Sequence, residues 1–164
     1  MAIGADGREE LELVVRAARA GDAEQLVDWN LRLAQESEGL VLARARLARG
    51  VAAALADTQR GRYLIAERRR AGVAEAVGGL LVTREWSDWR DGWWWWIQSV
   101  YVEPEARRQG VYDALHARVA SDARAAGDVV GVRLYVEHAN TRAQRTYRRV
   151  GMVDSGYLLF EQPL

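Results

Sequence analysis

Arg107-Arg108-Gln109-Gly110-Val111-Tyr112 follows closely on the apolar run Trp93–Val102. Pro104 ends that run, because it has no N–H to give to a ladder. Val111, Leu115 and Val119 then recur on one side of a helix expected from about Gly110 to Ala126. A strand, a tight turn and a helix N-terminus leave several main-chain N–H groups unpartnered at the positive end of a dipole. Such an end binds phosphate with no need of any particular side chain. Gly110 supplies either a conformation or a close approach that a side chain would prevent. The alternative is an ordinary strand–helix connection with solvated arginines. The segment is not a P-loop, and it lacks two of the glycines of a dinucleotide fingerprint.

A second segment bears on that choice. Asn140, Ala143, Tyr147, Gly151 and Met152 lie in NTRAQRTYRRVGM, just after a strand expected to end near Glu137. With Val102, Pro104, Arg107 and Gly110 matching V-x-P-x-x-R-x-x-G, the two segments together resemble the GNAT superfamily of acyl-CoA-dependent N-acyltransferases. The second segment matches N-x-x-A-x-x-x-Y-x-x-x-G-F, with Met152 at the usual Phe position. Tyr112 departs from the pattern, since the family usually has Gly or Ala there.

The resemblance implies acetyl-CoA as co-substrate, held where the fourth and fifth strands splay apart. Val100 and Val102 would offer backbone groups to the pantetheine arm and the thioester carbonyl. Arg107, Arg108, Gln109, Gly110, Val111 and Tyr112 would hold the pyrophosphate, Tyr112 through its backbone alone. Asn140 would contact the cofactor where the second segment begins. The reaction implied is direct attack by a primary amine in a ternary complex. A lysine-like amine has a pKa of about 10.4, so it must lose a proton before it attacks. The developing oxyanion needs a donor, which the Val100 N–H would supply. The leaving thiolate needs a proton, and Tyr147 stands where the family places that acid. Packing in a core is the other use for a tyrosine at that spacing. Glu85, Asp88, Asp91, Glu103, Glu137 and His138 are the candidates for the base, and none is singled out.

The four tryptophans Trp93 to Trp96 cannot form one cage. Side chains alternate across a strand, so Trp93 and Trp95 face one way while Trp94 and Trp96 face the other. One pair is expected under helices. The other, with Trp86 and Trp89 across the turn SDWRDG, would reach an acceptor cleft or a homodimer interface. Aromatic rings there would receive an apolar or aromatic amine, or a cation.

The elements that must carry these residues read in order as strand 11–18, helix from Asp22, helix 40–55, then strands over GRYLIAERR, VAEAVGGLLVTREW and GWWWWIQSVYV. A helix to Ala126, strand GVRLYVE, helix NTRAQRTYRRV and last strand GYLLFEQ complete the chain. The expected fold is α/β (α+β): a single GNAT-like domain with a mixed, mostly antiparallel sheet of about six to seven strands and about four helices on both faces.

Composition excludes other chemistries. The 164 residues contain no cysteine and two histidines, His116 and His138, so no thiolate or histidine-rich metal site is expected. Acidic and basic residues balance at 23 each, which gives no general field for nucleic acid. Nothing approaches the ~20 apolar residues of a membrane span, and MAIGADGREE holds no signal-peptide core, so cytoplasm is the default. A small-molecule or peptide amine is the expected partner. Two readings from other classes stay open: a non-catalytic acyl-CoA sensor, and a protein-interaction module built on the tryptophan surface.

Overall fold

A computed structural model of the chain describes residues 12–163; Leu11 of the first expected strand and the N-terminal MAIGADGREE lie outside the described residues. Strand β1 (Glu12–Ala17) leads into helices α1 (Ala23–Glu38) and α2 (Arg44–Ala56). Three long strands follow, β2 (Arg62–Arg70), β3 (Val73–Ser87) and β4 (Gly92–Val102). Helix α3 (Val111–Ala126), strand β5 (Val129–Leu134) and helix α4 (Thr141–Arg149) complete the regular elements.

The strands lie in chain order, β1-β2-β3-β4-β5. Neighbours are antiparallel except β4 and β5, which run parallel. β1 and β2 are joined through α1 and α2, whereas the β2–β3 and β3–β4 steps need only short turns. At β2–β3 the turn is Ala71-Gly72, with φ of 51° and 77°, the left-handed pair that suits strand twist. A parallel step needs a crossover, and α3 provides it.

Helices cover both faces. On one, Leu26, Val27 and Trp29 of α1 and Val51 of α2 pack on Tyr63, Ile65 and Tyr101. On the other, Val111, Leu115, Val119 and Ala123 of α3 pack on Leu64, Ala66, Val77, Leu80, Val82, Trp95 and Ile97. Strand β2 is therefore buried on both sides, and Tyr63 to Glu67 are all buried.

The structure corrects four expectations. Helix α2 begins at Arg44 rather than Leu40, because Gly39 (φ 66°) ends α1 in a Schellman turn and leaves Leu40 exposed. Asp22 precedes α1 but spends its carboxylate on the Arg19 N–H and on Arg16 instead of capping the helix. Strand β5 runs from Val129 to Leu134 and not to Glu137, because β4 leaves it beyond Ile97. GYLLFEQ forms no strand, so the sheet of the described residues has five strands, fewer than the six or seven expected. High β-propensity does not make a strand without a neighbouring ladder to join, and 153–163 donates no backbone bond to the sheet.

Candidate functional site

The site is built where two strands part. β4 and β5 are paired from Trp93/Val129 to Ile97/Leu134, after which β4 continues alone to Val102. On its other side β4 carries a bulge. Gln98 pairs with Leu81 and Tyr101 with Gly79, so the two residues Ser99 and Val100 lie opposite the single residue Leu80. Ser99 sits at φ 50°, and the extra residue shifts the alternation. Ile97, Val100 and Val102 thus all face the α3 core, while Tyr101 turns to α1. Val100 thus lies in the stretch of β4 that has no β5 partner.

The far end of β4 is pinned to α1 by charge. Glu103 accepts from Trp29 Nε1 at 2.7 Å and from both terminal nitrogens of Arg32 at 2.8 Å. Glu36 accepts from the Tyr101 hydroxyl at 2.9 Å and from Arg107 Nη2 at 2.7 Å. Burial by itself would raise both carboxyls, but these donors outweigh it and hold each below its ordinary value. Arg107 also donates its Nε to the Val102 carbonyl at 2.9 Å. Its guanidinium is a strap between the end of β4 and α1, a structural duty that the sequence reading did not give it.

From there the chain makes a 3-10 turn at Pro104–Ala106, passes Arg108 (φ 67°) and reaches Gly110 (φ 80°), the residue before α3. A Cβ on Gly110 would meet nothing within 4 Å, so the glycine serves the left-handed turn and not a tight contact. No side chain caps α3. Among the described residues, none of the main-chain N–H groups from Arg108 to Asp113 donates to a protein acceptor. They open on a cavity of about 440 Å³ lined by Val102, Arg107, Arg108, Gly110, Val111 and Tyr112, all expected site residues. Arg142, Thr146 and Arg149 of α4 complete the wall, with Ala106 and Asp113.

Those α4 residues were missed in the sequence, although spacing of three and four puts them on one helix face, a pattern open to detection. Arg149 reaches Asp113 at 2.7 Å and ties α4 to α3. Arginines beside unpartnered amides at a helix N-terminus make an anion site suited to a pyrophosphate.

Gln109, Asn140 and Tyr147 lie around this cavity rather than in its wall. Gln109 turns back, its amide nitrogen on the Glu105 carbonyl at 2.6 Å. Asn140 caps α4, accepting from the Ala143 N–H at 3.0 Å. The Tyr112 ring is neither turned outward nor free, but lies edge-on to Tyr147 at 5.4 Å and 6.0 Å from the His116 ring. Its hydroxyl is buried without a partner, and burial lifts it above its ordinary pKa. Burial likewise raises Tyr147 and lowers His116, so both are held neutral near pH 7.

The tryptophans divide as alternation requires. Trp95, buried, and Trp93 join the α3 core, with Trp86 edge-on to Trp93 at 5.1 Å. Trp94 and Trp96 occupy the opposite face. The Trp94 ring lies over Gly131, where a Cβ would come within 2.3 Å, and Arg133 stacks on it at 3.8 Å. Trp96 stacks on Tyr135 at 4.4 Å and donates Nε1 to Glu85 at 2.5 Å. Tyr135 is the first residue beyond the last β4–β5 pair, so this aromatic pair flanks the mouth of the gap. Trp89, at the hairpin tip, is 87% exposed and belongs to neither group. Of the candidate bases, Glu85 and Glu103 are engaged as described, and Asp88 accepts from the Trp89 N–H. Asp91 holds the left-handed position of that same hairpin turn. Glu137 and His138 present carbonyls to Gln144 at the start of α4.

The chain and its fold have counterparts among known proteins. The profile of the Acetyltransferase (GNAT) family matches residues 23–152. The chain belongs to the GNAT acetyltransferase family. A possible acetyltransferase from Clostridium difficile 630 is 36% identical, with 94% of this chain and 99% of that one covered at a TM-score of 0.83. An integron cassette protein from the mobile metagenome of Cole Harbour Salt Marsh is 27% identical, covering 92% of this chain and 90% of that one at 0.76. AAC(6')-Iy, solved with the bisubstrate analog CoA-S-monomethyl-acetylneamine, shares the fold at 18% identity, 93% and 99% coverage and a TM-score of 0.70. No curated protein matches the chain. Among the described residues no helix is long and apolar enough to cross a membrane, and no group of His, Asp and Glu could hold a metal ion.

Proposed function

We propose that this GNAT protein transfers an acetyl group from acetyl-CoA to a primary amine of a small acceptor. The observation that carries the reading is the run of unpartnered amides from Arg108 to Asp113, opening on an arginine-lined cavity beside the parted strands. Those amides and Arg108, Arg142 and Arg149 suit a pyrophosphate, and the exposed edge of β4 beyond Ile97 suits a chain of amides lying between the strands. Acetyl-CoA, when bound, supplies a thioester activated for acyl transfer. The complex of AAC(6')-Iy with a CoA–aminoglycoside conjugate supports the placing of both substrates on this fold.

Each residue then has a task. Val100, freed from the β3 ladder by the bulge, donates its N–H to the thioester carbonyl as charge builds on oxygen. Tyr147 keeps its proton through neutral pH and delivers it to the departing sulfur, while the proton that the amine nitrogen sheds on becoming an amide passes to water. Asn140 fixes α4, and with it the height of Tyr147 over the gap. Trp96 and Tyr135 form the acceptor's platform, where a flat or cationic portion of the amine rests against the rings.

Calorimetric titration with acetyl-CoA, on wild type and Gly110→Glu, tests the donor half. Binding in the micromolar range that is lost in the folded variant supports it, and absence of binding to wild type removes it. Turnover against an amine library then separates the transferase from a sensor, which binds without turnover.

A further inference from the structure

On the face of the sheet that carries α1 and α2, those helices pack on Tyr63, Ile65 and Tyr101 and not on the outer tryptophans. Trp94 and Trp96 hold charge instead. The Arg133 guanidinium lies 3.8 Å from the Trp94 ring centre and 5.6 Å from that of Trp96, and Arg90 lies 5.3 Å from Trp94. Glu85, the carboxylate that touches these rings, is already engaged by Trp96 Nε1. Arg133 reaches Glu85 through one nitrogen at 3.4 Å, the outer limit of a hydrogen bond. The remaining donors of the Arg133 fork have no acceptor among the described residues. Stacking on Trp94 fixes the plane of the guanidinium, so its free edge is formed in advance for a carboxylate.

The place of this cation matters as much as its freedom. Arg133 pairs with Trp96 in the β4–β5 ladder, one step before that ladder ends at Ile97/Leu134. Tyr135, just beyond the end, stacks on Trp96 at 4.4 Å and stays 55% exposed. A fixed cation and an open aromatic surface therefore stand side by side at the mouth of the gap.

We infer that this face recognises an aromatic α-amino acid, with its carboxylate on the Arg133 fork and its ring against Trp96 and Tyr135. As an account of the acceptor this rests on the transferase reading; the recognition itself does not. Two guanidiniums beside one engaged carboxylate oppose a polycation and favour an anion. An aromatic amine without the carboxylate covers the Arg133 donors and leaves them unpaired, which costs more than the contact it lacks. Two contacts on one carbon orient its third substituent, the amine, toward the gap. Acetylation then forms the N–C bond and breaks the C–S bond. The thiol takes a proton, the proton of the amine passes to water, and the carboxylate keeps its charge on Arg133.

The test is calorimetric titration of the full chain with L-phenylalanine, phenethylamine and spermidine, followed by thiol release when acetyl-CoA is added. The expected result is a phenylalanine Kd about tenfold or more below that of phenethylamine, no binding of spermidine, and acetylation in the same order. Arg133→Gln, which removes the charged fork, should erase the preference for phenylalanine over phenethylamine. Arg133→Lys, which keeps the charge without the fork, should retain part of it. Absence of phenylalanine binding, equal Kd values for the two, or tighter binding of spermidine overturns the inference. So does a preference that survives Arg133→Gln. The wild-type comparison decides the matter even if a variant fails to fold. Phenylalanine preferred by a chain that binds no acetyl-CoA supports the recognition and removes the transferase reading alone. Acetyl-CoA bound by a chain that shows no such preference removes this inference alone.

Discussion

Helices α3 and α4 both begin beside the candidate cavity, and they begin in opposite ways. α3 has no capping side chain and six consecutive amides, from Arg108 to Asp113, without a protein acceptor. α4 is capped by Asn140. Their bodies invert the contrast. α3 is anchored by Val111, Leu115, Val119 and Ala123, whereas α4 has no fully buried residue, Tyr147 being only partly buried. A helix driven into the core keeps its N-terminus rigid even when that end is unfinished, so its amides are free for a ligand. A helix with little core contact needs its own cap to persist. α3 can leave its first amides free because it is fixed elsewhere. α4 positions its side chains only as well as its cap and two contacts allow.

The largest break in this contrast is Gly110→Glu. A side chain in the left-handed region costs about 1–2 kcal/mol, and a carboxylate placed before the amides opposes an anion by a similar amount. Together, where the strain shifts the turn away from its binding shape, they predict a loss of about thirty- to a thousandfold in acetyl-CoA affinity by calorimetry, with the far-UV spectrum unchanged. Affinity within a factor of three of wild type would remove the α3 terminus from the binding site.

Tyr147→Phe addresses α4. Loss of a general acid predicts a fall of about a hundredfold in kcat with unchanged acetyl-CoA affinity. If kcat is retained, Tyr147 only packs on Tyr112. Because burial raises its pKa, the hydroxyl is protonated below its ordinary value near 10 and is lost only above it. The alkaline limb of kcat assigned to Tyr147 should therefore fall above pH 10, and should vanish in the Phe variant.

On the acceptor side, Trp96→Ala should raise acceptor KM about tenfold through lost ring contact and leave acetyl-CoA binding alone. Trp89→Ala should change neither, which sets the gap mouth against the hairpin tip. Equal effects from both would return the acceptor to the hairpin end.

Asn140→Ala is the smallest change. Loss of the cap costs about 1 kcal/mol, read as a lower thermal midpoint. As α4 has little other support, kcat should drop several-fold while acetyl-CoA affinity, carried by α3, moves less. A parallel fall in both would mean that the α4 arginines of the cavity wall carry as much of the cofactor binding as the α3 amides.

Periodicity made α3 legible: Val111, Leu115 and Val119 lie where the helical spacing puts them. The division of Trp93 to Trp96 followed from strand alternation, with the inner pair under a helix. Periodicity did not reveal Arg142, Thr146 and Arg149 as cavity wall, since a polar helix face looks the same whether it meets water or a ligand. Nor did the pattern around Arg107 show that its guanidinium would be taken by Glu36 and the Val102 carbonyl, partners set by the packing of α1 on β4.

Local rules therefore settled the element types, the glycine turn before α3 and the family-like spacing of two motifs, because backbone sterics and side-chain period act over a few residues. Tertiary structure decided the rest. The gap exists because β5 ends its pairing at Leu134 while β4 runs on, and Val100 faces the α3 core because one extra residue at Ser99 shifts the alternation. GYLLF has the composition of a strand in any context, but a strand is a relation between two segments, and within the described residues the second segment is not supplied.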